Sequence, residues 1–224
     1  MVLQFYSAQP SSPCRLVHMV LETIGVPYQL NSVNLAQGEH LASEFLAINP
    51  FHNVPFIVDE DLSMGESRAI ATYLANKYDE SGQLYPKDPK TRAIVDQRLF
   101  FDMGSLFASH RSCYHSKMMK GIEPPKKDLE RAHQSLLWAE DMIRATGYAA
   151  GTQNLTLADL AFVATFSTIQ ATEAFDLSDL PIWKEYFPRI TKLIKNYDEV
   201  NGKGALMFGA FYQAQLKGAI SQEC

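Results

Sequence analysis

The chain has 224 residues, enough for one or two domains, and carries a formal charge of -5. With 46% hydrophobic, 11% aromatic and 20% charged residues it can build a full core, which excludes a disordered, collagenous or coiled-coil chain. The negative surface argues against nucleic acid as a general partner, and no segment reaches the ~20 apolar residues of a membrane span.

Residues 1–13 contain no basic residue and no long apolar stretch, so they do not read as a signal peptide. The cysteines, Cys14, Cys113 and Cys224, are odd in number and far apart. That pattern suits free thiols in a reducing compartment, and a cytoplasmic location is expected. Neither a His/Cys cluster with zinc spacing nor a phosphate-cradling glycine loop is present, so no metal and no nucleotide is expected.

In chain order, residues 2–6 form an apolar strand candidate and residues 28–33 a second one. Between them lies a helix with readable punctuation: Ser12 as N-cap, Pro13 at the first helical position, Gly25 as the stop. Leu16, Val17, Val20, Leu21 and Ile24 give it one apolar face. Residues 55–58 and 61–64 are two more strand candidates joined by an acidic turn, and residues 66–78 a helix. The order βαβ then ββα predicts a small α/β domain with a mixed sheet over residues 1–79.

Residues 80–89, rich in Ser, Gly, Lys and Pro, read as a linker. Beyond them an all-helical domain is expected over 90–224. Val95, Leu99, Met103, Leu106, Phe107, His110 and Tyr114 keep a helical stripe, and helices are expected at 126–145, around the apolar run 160–169, at 182–197 and at 204–216. Thr156 and Asp159, three apart ahead of the most apolar helix, predict a capping box with a structural role.

Six segments then stand in order: Ser11-Ser12-Pro13-Cys14-Arg15, Gly38-Glu39-His40-Leu41, Asn49-Pro50-Phe51-His52-Asn53-Val54-Pro55, Glu66-Ser67-Arg68-Ala69-Ile70, Leu84-Tyr85-Pro86-Lys87-Asp88-Pro89 and Leu155-Thr156-Leu157-Ala158-Asp159. Together they resemble the cytosolic glutathione transferases, and within them the insect delta and epsilon classes. The resemblance covers nearly the whole chain. It implies a thioredoxin-like first domain, a helical second domain, a homodimer, and conjugation of the glutathione thiolate to hydrophobic electrophiles, a detoxifying activity. Glutathione is then a co-substrate, with no metal.

The resemblance assigns residues to that chemistry. The catalytic hydroxyl falls on Ser11, with the adjacent Ser12 as the competing choice. His40, His52, Asn53, Val54, Pro55, Glu66, Ser67 and Arg68 would hold glutathione, Val54-Pro55 resembling the family's cis-proline turn. Phe107, His110, Arg111 and Tyr114, with Phe208, Phe211 and Tyr212, would line the electrophile's pocket. The chemistry suits these groups. A free thiol with a pKa near ~8.5 is only a few per cent ionised at neutral pH, and two units of lowering need roughly 2.7 kcal/mol. A donated hydrogen bond and a helix N-terminus both favour the anion. Two rival readings remain: a non-catalytic carrier of hydrophobic ligands with the same pocket, and a redox protein using Cys14 at the helix start.

Overall fold

The structure, a computed structural model, describes residues 2–220, and their side chains except those of Lys120 and residues 218–220. Cys224 and the outer limits 1 and 224 of the two expected domains lie outside the described residues. Strand β1 (Leu3–Ser7) alternates, burying Leu3, Phe5 and Ser7. It leads into α1 (Ser12–Ile24), whose expected apolar face is buried except for the partly covered Ile24, and Gly25 ends α1 in the left-handed region at φ 82. β2 (Tyr28–Ser32) pairs parallel with one side of β1, β3 (Phe56–Asp59) antiparallel with the other, and β4 (Leu62–Met64) with β3. The sheet order is therefore β2-β1-β3-β4. Between β2 and β3 run two 3₁₀ turns, Leu35–Gln37 and Glu39–Leu41, and the short helix α2 (Ser43–Ile48); α3 (Ser67–Tyr78) follows β4. Six residues are too few for a period to show, so α2 was not legible in the pattern. This is the thioredoxin-like arrangement.

Asp88 caps α4 (Pro89–Phe101), accepting from the Thr91 N–H at 2.9 Å. α4 passes through a π-helical stretch, Asp102–Phe107, into α5 (Ala108–Lys120). The expected stripe shifts here. Met103 is 39% exposed, and Asp102 takes the buried place between Leu99 and Leu106, because its carboxylate pairs with Arg68 across the domain boundary. The widened π turn accommodates the change of phase. α6 (Lys126–Arg144), the buried α7 (Leu157–Thr172), α8 (Pro181–Thr191) and α9 (Lys203–Ile220) complete the helical part. The helix expected to reach residue 197 stops at Thr191, and Asn196 then takes a left-handed φ of 52. A second π-helical turn, Asp198–Gly202, precedes α9. No helix among the described residues is long and apolar enough to cross a membrane.

Asp159 organises the core of this part. Its Oδ2 accepts from the Thr156 N–H at 2.9 Å, one arm of the capping box, and also from the Thr156 hydroxyl at 2.9 Å. Its Oδ1 accepts from the Ala149 N–H at 2.8 Å and the Tyr186 hydroxyl at 2.9 Å. Burial nonetheless pushes the carboxyl above its usual range, since desolvation outweighs those four donors.

The two parts meet where α1 crosses α7 and the start of α9. A Cβ at Gly204 would lie 2.2 Å from the Gln9 carbonyl oxygen and 2.7 Å from Arg15 Cδ, so only glycine lets α9 approach that closely. Gly104, by contrast, has open space around it. Gly204→Ala should therefore cost about 1–3 kcal/mol in urea unfolding, while Gly104→Ala costs nothing measurable or stabilises slightly. Equal midpoints for the two variants would show the contact to be slack.

Candidate functional site

Sheet register brings the motif segments to one edge. Tyr6 of β1 lies opposite Phe56 of β3, so the loop leaving β1 and the turn entering β3 emerge side by side. Ser7 pairs with Ser32 and Ile57 with Met64, so the segments after β2 and β4 leave at the same end. Ser11, His40, residues 52–55 and Glu66–Ser67 all follow or precede strands at this end.

Ser11 occupies the N-cap position of α1, extended at φ -74 and ψ 116, and its carbonyl accepts from the Arg15 N–H at 3.0 Å. Its hydroxyl makes no capping bond to the helix. The expected N-cap, Ser12, instead sits inside the first turn, buried, with its hydroxyl unpartnered among the described residues. Pro13 thus stands one place later than the sequence suggests. Beneath the loop Cys14 is fully buried and receives the Ala8 N–H at 3.4 Å.

The Val54–Pro55 peptide is cis. Asn49, almost fully buried, braces that turn: its Nδ2 donates to the Asn53 carbonyl at 2.8 Å and Oδ1 at 3.1 Å, and its own Oδ1 accepts from the Phe51 N–H at 3.1 Å. His52 is held at φ 44, with its ring centroid 6.3 Å from that of His40. His40 Nδ1 is buried and unpartnered among the described residues. Gly65 lies against the same turn, since a Cβ there would meet Asn53 Oδ1 at 3.5 Å. Next to it Glu66 adopts φ 66 and ψ 97 before α3, and the buried Ser67 hydroxyl accepts from Arg68 Nη1 at 2.9 Å. Arg68 is also ion-paired with Asp102, and its guanidinium carbon lies 5.5 Å from the Phe107 ring centroid. Asp102 is fully buried, which pushes its carboxyl up against the opposing pull of Arg68.

Beyond that pair a cavity of about 420 Å³ opens along the π-helical stretch and α5, lined by Met103, Phe107, Ala108, Arg111, Ser112, His115 and Ser116.

Comparison with known proteins decides what this arrangement belongs to. Residues 5–82 match the model of the glutathione S-transferase N-terminal domain. A delta-class glutathione transferase of Nilaparvata lugens is 38% identical over 95% of this chain and 99% of its own, with a TM-score of 0.91. An epsilon-class enzyme of Musca domestica is 31% identical over 95% and 98%, with a TM-score of 0.88. A glutathione transferase homologue of Drosophila mojavensis, solved with bound glutathione, is 30% identical over 96% and 97%, at 0.88. The chain belongs to the glutathione transferase family.

In this transferase the residues expected to hold glutathione collect around one end of the sheet, with one qualification. The Arg68 guanidinium is engaged by Asp102 and Ser67, so its charge is largely neutralised. The pocket residues divide. Phe107 and Arg111 line the cavity. Tyr114 turns inward, 6% exposed, with its ring 5.3 Å from Phe208. On α9 Phe208 is half-buried, Phe211 46% exposed and Tyr212 buried. His110 is a correction: it is 1% exposed, Nδ1–H bonds the Leu106 carbonyl at 2.8 Å, and its ring packs at 4.6 Å on Phe175. It is a core residue in this state, because the helix turns it away from the cavity. The redox reading loses its chemistry too. Burial pushes the Cys14 thiol up, the reverse of an activated thiolate.

Sequence reasoning missed Asn49 and Asp102 as positioning residues. Asn49 stood inside a quoted motif. Asp102 left one signal, a carboxylate beside an apolar stripe.

The burial of His110 has a measurable consequence. Desolvation pulls its pKa from 6.5 to about 4. The folded value lies below the unfolded one, so its contribution is full above pH 6.5 and is lost as pH falls toward 4. His110→Phe should remove about 3 kcal/mol of acid-induced loss over that window, read as a flatter dependence of urea-unfolding free energy on pH. An unchanged slope would mean that the ring is hydrated.

Proposed function

We propose that this transferase adds the glutathione thiolate to hydrophobic electrophiles, with Ser11 as the hydroxyl that stabilises the thiolate. The observation that carries this is where the N-cap hydroxyl sits: Ser11 caps no backbone N–H of its helix and bonds only weakly, to the Cys14 side chain, while the α1 N-terminus adds its partial positive charge at the same place. Ser11 acts as a hydrogen-bond donor, neither nucleophile nor base. The sulfur lone pair attacks the electrophilic carbon once the thiol proton has left to solvent.

On this reading residues 1–79 bind glutathione, 80–89 connect, and 90–224 supply the second pocket. His40 and His52 hold the glycine carboxylate, and the backbone of Val54 beside Asn53 and cis-Pro55 pairs with the cysteinyl unit like an added strand. Glu66 takes the γ-glutamyl ammonium, while Ser67 and the α3 N-terminus donate to its carboxylate; Arg68 fixes Ser67. Phe107, Arg111 and, at the mouth, Phe208 and Phe211 meet the electrophile; Tyr114 and Tyr212 support them from behind. The setting is cytoplasmic and the role detoxification. The carrier reading has no comparable support, since a carrier has no use for a hydroxyl at the N-terminus of α1 that caps no backbone N–H.

Ser11→Ala should move the midpoint of the pH–rate profile for chlorodinitrobenzene conjugation upward by about one to two pH units and cut turnover at neutral pH about tenfold or more, with glutathione affinity little changed. A profile superimposable on the wild type would transfer the role to Ser12.

We also infer a homodimer through the outer face of α4. Phe100 is 70% exposed there, with Ile94 and Met103 nearby at 38% and 39%. Two neighbouring side chains of α4 are occupied within the chain: Phe101 packs 6.0 Å from the Phe162 ring, and Arg98 Nε donates to the Ala149 carbonyl at 3.0 Å. An exposed apolar patch of this kind suits a two-fold contact. Sedimentation equilibrium should give twice the chain mass of 25.2 kDa, with Phe100→Glu shifting it toward one. A fully active wild-type monomer at micromolar concentration would end the idea.

A further inference from the structure

The cavity along the π-helical stretch and α5 is apolar only at one end. Phe107 and Met103 form that end, next to the Arg68–Asp102 pair. One to two turns further on, Arg111 and His115 stand four residues apart, as do Ser112 and Ser116, so two adjacent rows of donors face the same opening. No carboxylate lines it.

Arg111 differs from the arginines around it. Arg15 donates to Ser167, Thr168 and Asn201, Arg68 to Asp102, Arg92 to the Pro86 carbonyl and Arg98 to the Ala149 carbonyl. Among the described residues Arg111 has no ion-pair or hydrogen-bond partner, and it is exposed to the cavity. Its planar guanidinium carries five donors in a fork that matches a carboxylate. His115 offers at least one ring N–H in either protonation state, and the two serines offer hydroxyls. Against a chain charge of -5, this is a local site for an anion, its first donor four residues along the helix from the Phe107 ring.

We propose that the second substrate of this transferase is an aromatic electrophile bearing a carboxylate or similar oxyanion, its ring on Phe107 and its anion on Arg111, with Ser112 and His115 as further donors. The inference rests on the transferase reading above and narrows its substrate class. For a chloroarene the step balances simply. The glutathione sulfur forms a bond to the ring carbon, the C–Cl bond breaks, chloride leaves with the bonding pair, and the thiol proton goes to solvent. Nothing is oxidised or reduced.

Binding and turnover are measured separately on the full chain. By calorimetry the unreactive 3,5-dinitrobenzoate should bind about fivefold more tightly than its methyl ester. Arg111→Met should abolish that preference and Arg111→Lys should keep most of it. In turnover, the ratio of kcat/KM for 4-chloro-3,5-dinitrobenzoate to that for its methyl ester should fall about fivefold from wild type to Arg111→Met; the ratio cancels the ester's greater intrinsic reactivity. Equal affinities in the wild type, or a preference that survives Arg111→Met, overturns the anion pocket, and if both chloroarenes are still conjugated the transferase reading stands. A binding preference without conjugation of either compound supports the anion pocket and overturns the transferase reading instead.

Discussion

A buried cation ties the molecule together. Arg15 leaves the first turn of α1 and enters the helical part, where it is 1% exposed and donates to Ser167 at 2.8 Å, to Thr168 and to Asn201. All three partners are neutral. A guanidinium buried without a carboxylate is costly, and desolvation pulls its pKa down to about 10, yet leaves it charged at any physiological pH. The cost is tolerable only when the acceptors are held in place. Ser167 and Thr168 are held by their own bonds to the Ala164 carbonyl, and Asn201 donates to Ser167 and to the Tyr197 hydroxyl at 3.0 Å.

The same anchor fixes the start of α1, and hence Ser11. Four residues upstream of Arg15, the Ser11 carbonyl accepts the Arg15 N–H, and the Gln9 carbonyl rests on α9 at Gly204. The loop that carries Ser11 is therefore clamped by a residue pointing away from the site and by a helix from the other part of the chain. Arg68 does the equivalent at α3: it reaches Asp102 in the helical part while holding Ser67 beside the sheet. Two arginines, each from the first turn of an α/β helix, turn two loosely comparable interfaces into a defined cleft. Apolar contact alone is non-directional and would not set that geometry.

Both π-helical stretches lie at these joints. Asp102–Phe107 supplies Asp102 to Arg68 and Phe107 to the cavity, and Asp198–Gly202 supplies Asn201 to Arg15. Single π turns in otherwise α-helical segments re-aim side chains without ending the helix. Here they aim polar groups inward at the cations and leave an aromatic ring facing the opening.

Much of this was legible in the residues. Punctuation at Gly25, alternation in β1, the apolar run of α7 and the Thr156–Asp159 spacing each encode local geometry through nearest neighbours, so the sequence by itself determined the order of the strands and longer helices, the two-part architecture and the motif segments. What it did not determine are choices made between elements. Ser11 rather than Ser12 takes the N-cap because the loop above it is held by α9. Asp102 rather than Met103 turns inward because Arg68 waits there, and His110 is core rather than pocket because Phe175 covers it. Periodicity gives the angle of a residue on its own helix. Only the packed neighbours decide which of two adjacent angles faces the cleft, because the free energy that settles it belongs to contacts between segments far apart in the chain.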